Sequence, residues 1–441
     1  MKRIAYEGLL KWKSKQNRKP LLIKGARQVG KTWLMKEFGK NEYESVAYIN
    51  FEKATQLANL FVVDFDIPRI LRSVQLITGI IPKPGETLII FDEIQSVKRG
   101  LLSLKYFYED APEYHIIAAG SLLGLSIHKD DSFPVGKVDF LELYPLSYEE
   151  FIVALGKNSL LDALHRRDWE LTKAFKSNYI ELLKQYYYIG GMPEVVKSFI
   201  QNNDYNEVRE IQNSILESYN NDFSKHSPIE IVPRIKMIWN SIPSQLAKEN
   251  RKFIYGAVKS GGRAKEFEVA IMWLEDAGLI HKISRVSNAS LPLDGFVDIG
   301  AFKLFMVDIG LLGAKSGLDA KTIIEGNTIF GQYKGALTEQ YVLQQLKCST
   351  GIETYYWSAE QGIAEIDFLI QTGGKVIPIE VKAEENLKAK SLKSFRDKFH
   401  PELSIRTSMS DFRKEETLTN LPLYGISLIN SLTAPQGQFL A

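Results

Sequence analysis

Lys31 and Thr32 close the run Gly25, Ala26, Arg27, Gln28, Val29, Gly30, Lys31, Thr32, which fills every fixed position of the pattern G-x-x-x-x-G-K-[ST]. Glycines at Gly25 and Gly30 let a backbone turn tightly enough for its N–H groups to face an anion. A helix opening near Lys31 adds its positive N-terminal end. Lys31 is then placed to reach β- and γ-phosphates, and the Thr32 hydroxyl to hold Mg²⁺. The apolar run Leu21-Leu-Ile-Lys24 before the loop and Trp33–Phe38 after it supply the strand and helix that such a loop requires. The spacing therefore predicts an ATP-type nucleotide site lined by residues 25–32.

A second pair of groups stands sixty residues on. Leu88-Ile-Ile-Phe91 reads as a buried strand and runs into Asp92 and Glu93. At the carboxyl end of a parallel strand, Asp92 is expected to hold Mg²⁺ through water, and Glu93 to orient and deprotonate an attacking water. Further strands are expected at Ser45–Phe51, Tyr114–Ala119 and Lys137–Leu143, with a lead-in helix over residues 1–20. Ser121 follows the fourth of these strands, where it would either sense a γ-phosphate or cap the segment Leu122–Ile127. Alternation of strands and helices argues for a parallel sheet covered on both faces.

A third constellation lies in the last hundred residues. Glu339 falls in a helix expected over Lys334–Lys347. Two strands follow, Ala364–Ile370 and Val376–Lys382, around a turn at Gly373-Gly374. Side-chain alternation sets Asp367 apart from Ile366, Phe368 and Ile370, and puts Glu380 and Lys382 on one face. Two acids on adjacent strands, with a lysine two residues past the second, are suited to a divalent metal that keeps several waters. The same residues on an exposed rim would form a plain ion pair.

Between these groups, residues 148–226 read as helical, punctuated at Gly190-Gly-Met-Pro193. Three helices (Val232–Ile242, Phe253–Val258 and Ala264–Ala277) and a hairpin (Leu279–Val286 with Lys303–Val307) then outline a winged helix. Lys248, Arg251, Lys252, Lys259, Arg263 and Lys265 cluster there, diluted by Glu249, Glu266 and Glu268. DNA binding and a merely solvated face are both consistent with that cluster. The resulting division is 1–147 ATPase core, 148–227 helical subdomain, 228–312 winged helix, 313–332 connector and 333–441 tail.

Composition bounds the rest. The 441 residues are 45% hydrophobic and 24% charged, with a net charge of +2. Any basic surface must therefore be local. Cys348 is the single cysteine, which excludes an internal disulfide and a multi-cysteine zinc site, and the six histidines show no metal-ligand spacing. No stretch is apolar enough to span a bilayer or serve as a signal peptide, so a cytoplasmic protein without a membrane partner is expected. A homo-oligomer remains open.

Taken together, GARQVGKT, LIIFDE, AGSLLG, LELYPLSYEEF and YIGGMPEVV resemble the prokaryotic AAA-superfamily ATPases of poorly defined function. FKLFMVDIGLLGA and AEIDFLI…IPIEVK resemble the domain of unknown function usually fused to them, itself similar to the PD-(D/E)xK restriction-endonuclease-like fold. The resemblance implies an α/β P-loop ATPase core, a helical subdomain, a winged helix and a nuclease-like tail. It carries Walker-type roles onto Lys31, Thr32, Asp92 and Glu93, a sensor-like role onto Ser121, and the nuclease pattern onto Glu339, Asp367, Glu380 and Lys382. Relatives commonly have Gly-Arg where this chain has Gly136-Lys137, so an arginine finger is not assigned. The leading expectation is an ATP-hydrolysing, DNA-associated protein. The alternative is an ATP-dependent switch or scaffold whose tail keeps the fold but not cleavage.

Overall fold

In the computed structural model the described residues are 1–120, 133–248, 251–325, 331–360, 364–385 and 390–433. The chain forms two compact units. One comprises Lys2–Tyr144 together with Trp273–Leu279; the other comprises Pro145–Met272 and Ile280–Ala441 with Met1.

The first unit is built on five parallel strands, β1 (Leu21–Lys24), β2 (Ser45–Asn50), β3 (Thr87–Asp92), β4 (His115–Ala119) and β5 (Asp139–Glu142). Their order across the sheet is β2-β3-β4-β1-β5. Every residue of β3 and β4 is buried, as expected for central strands covered by helices on both faces. Helices Lys31–Glu42, Ile67–Thr78 and Gly100–Asp110 supply that cover. Under one face, Phe51, Phe61, Phe91 and Phe107 meet edge to face with ring centroids 5.4–6.2 Å apart. The parallel sheet read from the sequence is thus present, with β5 shorter than the expected Lys137–Leu143.

The second unit begins with six consecutive helices between Tyr148 and His226. The first is fixed by a reciprocal cap in which Glu150 N–H meets the Ser147 hydroxyl and Ser147 N–H meets the Glu150 carboxylate. Further along, β6 (Ile280–Val286), β7 (Val297–Met306), β8 (Thr354–Ser358), β9 (Glu365–Thr372), β10 (Lys375–Val381), β11 (Ser404–Ser408), β12 (Arg413–Lys414) and β13 (Leu418–Pro422) share one mixed sheet. Its order is β12-β13-β11-β10-β9-β8-β6-β7.

This sheet bears on one expectation, the separate winged helix. The hairpin β6–β7 does not stand out as the wing of a separate module: Arg285 and Val286 pair in parallel with Tyr356 and Trp357 of β8. Pairing on both sides at Arg285 and Val286 covers that end of β6, which an independent wing would leave as an open edge. The expected connector, 313–332, carries helical structure among its described residues. Helix Ile309–Lys315 is buried from Ile309 to Ala314, and a further helix covers Ala320–Glu325.

The glycine motifs near these helices are packing devices. A Cβ at Gly191 would stand 2.1 Å from the Leu146 carbonyl oxygen, and one at Gly310 would stand 2.4 Å from that of Ile189. Asp308, fully buried, ties the two stretches by accepting from Gly191 N–H at 2.6 Å and Leu311 N–H at 3.0 Å. Among the described residues no helix is long and apolar enough to cross a membrane.

Candidate functional site

The first site forms where β1 leaves the sheet of the N-terminal unit. Gly25 sits at φ +142, and a Cβ there would lie 2.1 Å from the Leu143 carbonyl oxygen, so the loop can turn only on glycine. Gly30, at φ +94, is the N-cap of helix Lys31–Glu42. Within the loop Val29 is fully buried, Arg27 is half-buried and Gln28, at φ +66, is exposed. From the opposite end of the unit the buried Arg3 side chain donates to the Val29 carbonyl at 2.9 Å and to that of Tyr144 at 2.6 Å. Sequence reading gave residues 1–20 no part in this loop, because a lone arginine before a helix has no pattern to mark it.

Lys31 folds over the turn and donates to the carbonyls of Gly25 at 2.9 Å and Ala26 at 2.8 Å. Burial lowers its pKa to about 8, although Glu93 and Asp92 pull the other way. Asp92 ends β3 and accepts from the Thr32 hydroxyl at 2.7 Å and the Tyr48 hydroxyl at 2.9 Å. Burial, helped by Asp92, pushes the Tyr48 phenol up to about 12, so it remains a donor. Tyr48 was not singled out from sequence; the register Asn50↔Asp92 between β2 and β3 brings it in. Glu93 takes left-handed backbone angles (φ 52, ψ 43), and its carboxylate accepts from Gln95 at 2.6 Å. Thr32 and Asp92 thus present two oxygens to one point beside a lysine, a donor set suited to Mg²⁺ and a polyphosphate.

Ser121 lies outside the described residues. Lys137 pairs with Glu109 of its own unit at 2.9 Å.

The second site lies in the other unit, in a cavity of about 710 Å³. Glu339, Asp367, Glu380 and Lys382 all line it. β9 and β10 pair antiparallel and set the two acids side by side, while helix Gly331–Thr350 brings Glu339 above them. Lys382 Nζ meets Glu380 Oε1 at 2.6 Å, and Asp367 Oδ2 accepts from Val381 N–H at 2.7 Å. Three residues outside the expected set join them. Arg251 pairs with Glu339 Oε1. Lys303 of β7 pairs with Glu365 at 2.5 Å and faces Glu339 Oε2 at 3.7 Å.

Arg251 therefore belongs to this cavity and not to a DNA-facing helix surface, and Lys252 lines the same cavity. Sequence could not show this, because the link runs across 88 residues between two elements.

The charges are unevenly held. Burial, reinforced by Glu339 and Glu380, keeps the Asp367 carboxyl well above the usual carboxylate range. Burial also raises Glu380, against the pull of Lys382. For Glu339 burial is outweighed by Arg251 and Lys303, and its pKa is lowered. Lys303 is likewise held above the ordinary lysine value, its burial outweighed by Glu339, Glu365 and Asp367.

Among the described residues no group of three or more histidine, cysteine, aspartate or glutamate side chains is set to hold a metal as it stands. The expected metal pair, Asp367 and Glu380, is occupied by Val381 N–H and Lys382. Even so, Glu339 Oε2 and Glu380 Oε2 are buried without a hydrogen-bond partner among the described residues. Two carboxylate oxygens that accept no hydrogen bond in one cavity, one of them with Lys303 at 3.7 Å, fit a cation.

Comparison with known proteins gives family matches along the chain. Residues 17–152 match the family model described as an AAA domain. Residues 180–322 and 334–425 match two families described only as domains of unknown function, DUF8612 and DUF4143. The N-terminal unit is thus a P-loop domain of the AAA ATPase type, a nucleotide-binding module. Among solved structures, the Aeropyrum pernix ORC1 protein in complex with DNA is 12% identical, with a TM-score of 0.27 over 71% of this chain and 90% of that one. The A. pernix ORC2 protein in its ADP form is 14% identical, with a TM-score of 0.29 over 75% and 92%. Cdc6p from Pyrobaculum aerophilum is 12% identical, with a TM-score of 0.25 over 74% and 95%. Scores this low do not define a shared whole-chain fold. No curated protein matches the sequence.

Proposed function

We propose that the N-terminal unit binds and hydrolyses ATP with Mg²⁺, and that its nucleotide state governs a DNA-associated second unit. The observation that carries the ATPase reading is the convergence of Thr32 and Asp92 at 2.7 Å beside a lysine held on a loop that only glycine can form. In this reading Lys31 exchanges the carbonyls of Gly25 and Ala26 for phosphate oxygens. Thr32 and, through water, Asp92 would hold Mg²⁺, which would supply charge screening, while Tyr48 fixes the Asp92 carboxylate. Glu93, oriented by Gln95, takes the proton of the attacking water. Gly25, Arg27, Gln28, Val29 and Gly30 form the cradle around the phosphates.

For the second unit we read the cavity as a phosphodiester site in which Asp367 and Glu380, with Glu339 and Lys382, would hold a divalent cation. The buried oxygens of Glu339 and Glu380 that accept no hydrogen bond support it. The exposed Lys259, Arg263 and Lys265 are the residues we assign to DNA-backbone contact.

A specific observation favours the other reading, a scaffold with an inactive tail. Arg251, Lys303 and Lys382 already neutralise the acids, as an internal ion network in a metal-free domain would.

ATPase turnover of the full-length protein, with and without DNA, tests the first proposal. Glu93→Gln should bind ATP and stall, and normal turnover by that variant would remove Glu93 from the mechanism. Calorimetry with Mn²⁺, together with incubation on supercoiled, linear and branched DNA, decides between the two readings of the cavity. Asp367→Ala and Glu380→Ala serve as the cleavage controls.

A further inference from the structure

Arg251 can leave the cavity without stranding the charge of Glu339. Lys303 is fully buried on β7 and already faces both Glu339 and Glu365, so Glu339 keeps a counter-ion when Arg251 departs. Lys382 sits on its own strand neighbour, Glu380. Arg251 instead lies between helices Val232–Leu246 and Tyr255–Val258, on a left-handed backbone (φ 48). Its side chain crosses helix Gly331–Thr350 at Gly335, where an added Cβ would stand 2.8 Å from Arg251 Nη2.

Three buried polar atoms at this place lack a hydrogen-bond partner among the described residues: Arg251 Nε, Glu339 Oε2 and Glu380 Oε2. One is a donor and two are acceptors. Glu339 Oε2 has Lys303 at 3.7 Å, so Glu380 Oε2 is the acceptor that calls for a further cation, and the donor calls for an anion next to it. A guanidinium whose Nη1 spends its bond on a carboxylate while Nε has none is half engaged. A phosphate would take both edges of the fork at once. The cavity volume, about 710 Å³, suits a nucleotide unit with its phosphate.

We infer that Arg251 is a phosphate-positioning residue of this cavity, which holds Glu339 at rest and exchanges it for an oxygen of a nucleic-acid phosphodiester. The inference rests on the reading of the cavity as a phosphodiester site. It adds a residue from outside the acid-and-lysine set, delivered from the stretch just before helix Tyr255–Val258.

The test uses full-length protein and two probes: Ca²⁺ alone, and the dinucleotide d(TpT) with Ca²⁺ present, both followed by calorimetry. d(TpT) carries a single phosphodiester and is too short to span the exposed lysines and arginine. Arg251→Gln frees Glu339, so Ca²⁺ should bind at least as tightly as to wild type, while d(TpT) affinity falls about tenfold or more. Arg251→Lys keeps the charge and loses the fork. It should fold as wild type, leave Ca²⁺ binding unchanged and weaken d(TpT) by a smaller factor. Equal loss of both probes in Arg251→Gln, with wild-type behaviour of Arg251→Lys, would reduce Arg251 to a structural prop. Unchanged d(TpT) binding in both variants would overturn the inference while leaving the metal reading intact. Wild-type protein that binds neither probe would overturn the phosphodiester reading itself, and the inference with it.

Discussion

Lys31 is the residue whose removal is most informative, because its charge is buried at a cost that the structure makes measurable. Its ammonium is almost wholly enclosed, and its pKa falls from 10.5 to about 8. At about 1.4 kcal/mol per pH unit, that difference corresponds to about 3 kcal/mol of strain carried by the charged, nucleotide-free state. The direction follows from linkage. Below about 8 both folded and unfolded chains hold the proton, and the full cost is present. Between about 8 and 10.5 only the unfolded chain holds it, so the contribution of Lys31 to stability rises with pH. Lys31→Met removes the cost but also strands the carbonyls of Gly25 and Ala26, a loss of about 1–3 kcal/mol each at most. The two effects nearly cancel at neutral pH, so the absolute stability of the variant is a poor test and the pH dependence a good one. Chemical unfolding of the transition that ATP shifts, followed from pH 7.5 to 10.5, should show wild type gaining about 3 kcal/mol on Lys31→Met. ATP should raise the melting temperature of wild type alone. Its binding at pH 8.5 should be accompanied by proton uptake, because phosphate restores the charged lysine. A wild-type-minus-variant difference that stays flat across this range, or ATP binding by Lys31→Met at wild-type affinity, would refute the argument.

Gly25→Ala should destabilise the N-terminal unit by more than about 2 kcal/mol and abolish ATP binding, since its Cβ meets the Leu143 carbonyl at 2.1 Å; thermal melts with and without ATP check it. Asp367→Asn should stabilise the metal-free protein at pH 8. The raised pKa of Asp367 means that its native form holds the proton longer, so its contribution to stability falls as pH rises above the unfolded value of 3.8. Urea unfolding should therefore show an advantage for the variant that shrinks toward pH 4, together with loss of Mn²⁺ binding. Reversing Lys259, Arg263 and Lys265 to Glu should remove DNA binding by full-length protein. In wild type these three contacts should give a log-log salt slope of about −2 to −3, read by fluorescence anisotropy; a triple variant that binds like wild type would make the cluster a solvated face.

The N-terminal unit was legible because its chemistry is local. The phosphate loop, the strand before it and the helix after it are consecutive, so spacing alone fixes which atoms face one another. Asp92 and Thr32 are sixty residues apart, yet each sits at a strand or helix end that the pattern marks. Arg3 and Tyr48 escaped notice for the opposite reason: each reaches the site through tertiary packing, with a side chain that has no periodic companion. The same limit explains Arg251. Its neighbours in sequence are basic and read as a nucleic-acid surface, whereas its position is decided by Glu339 on a helix far along the chain.

The second unit shows how strand pairing redraws boundaries that local pattern suggests. Helix, helix, helix and hairpin in sequence outline a winged helix, and nothing in residues 228–312 argues against it. What pattern cannot reveal is the neighbour of an edge strand. Once β6 pairs with β8, the hairpin and the acid-bearing strands β9 and β10 are one sheet, and Lys303 on β7 becomes a fully buried counter-ion for Glu339 and Glu365. A buried lysine of this kind needs its acids as much as they need it: removing either partner leaves an uncompensated charge in a low dielectric. The basic segment, the hairpin and the acid cluster therefore stand or fall together. Truncation before residue 333 should yield not a free winged helix but a hairpin with an open edge and an unpaired Lys303.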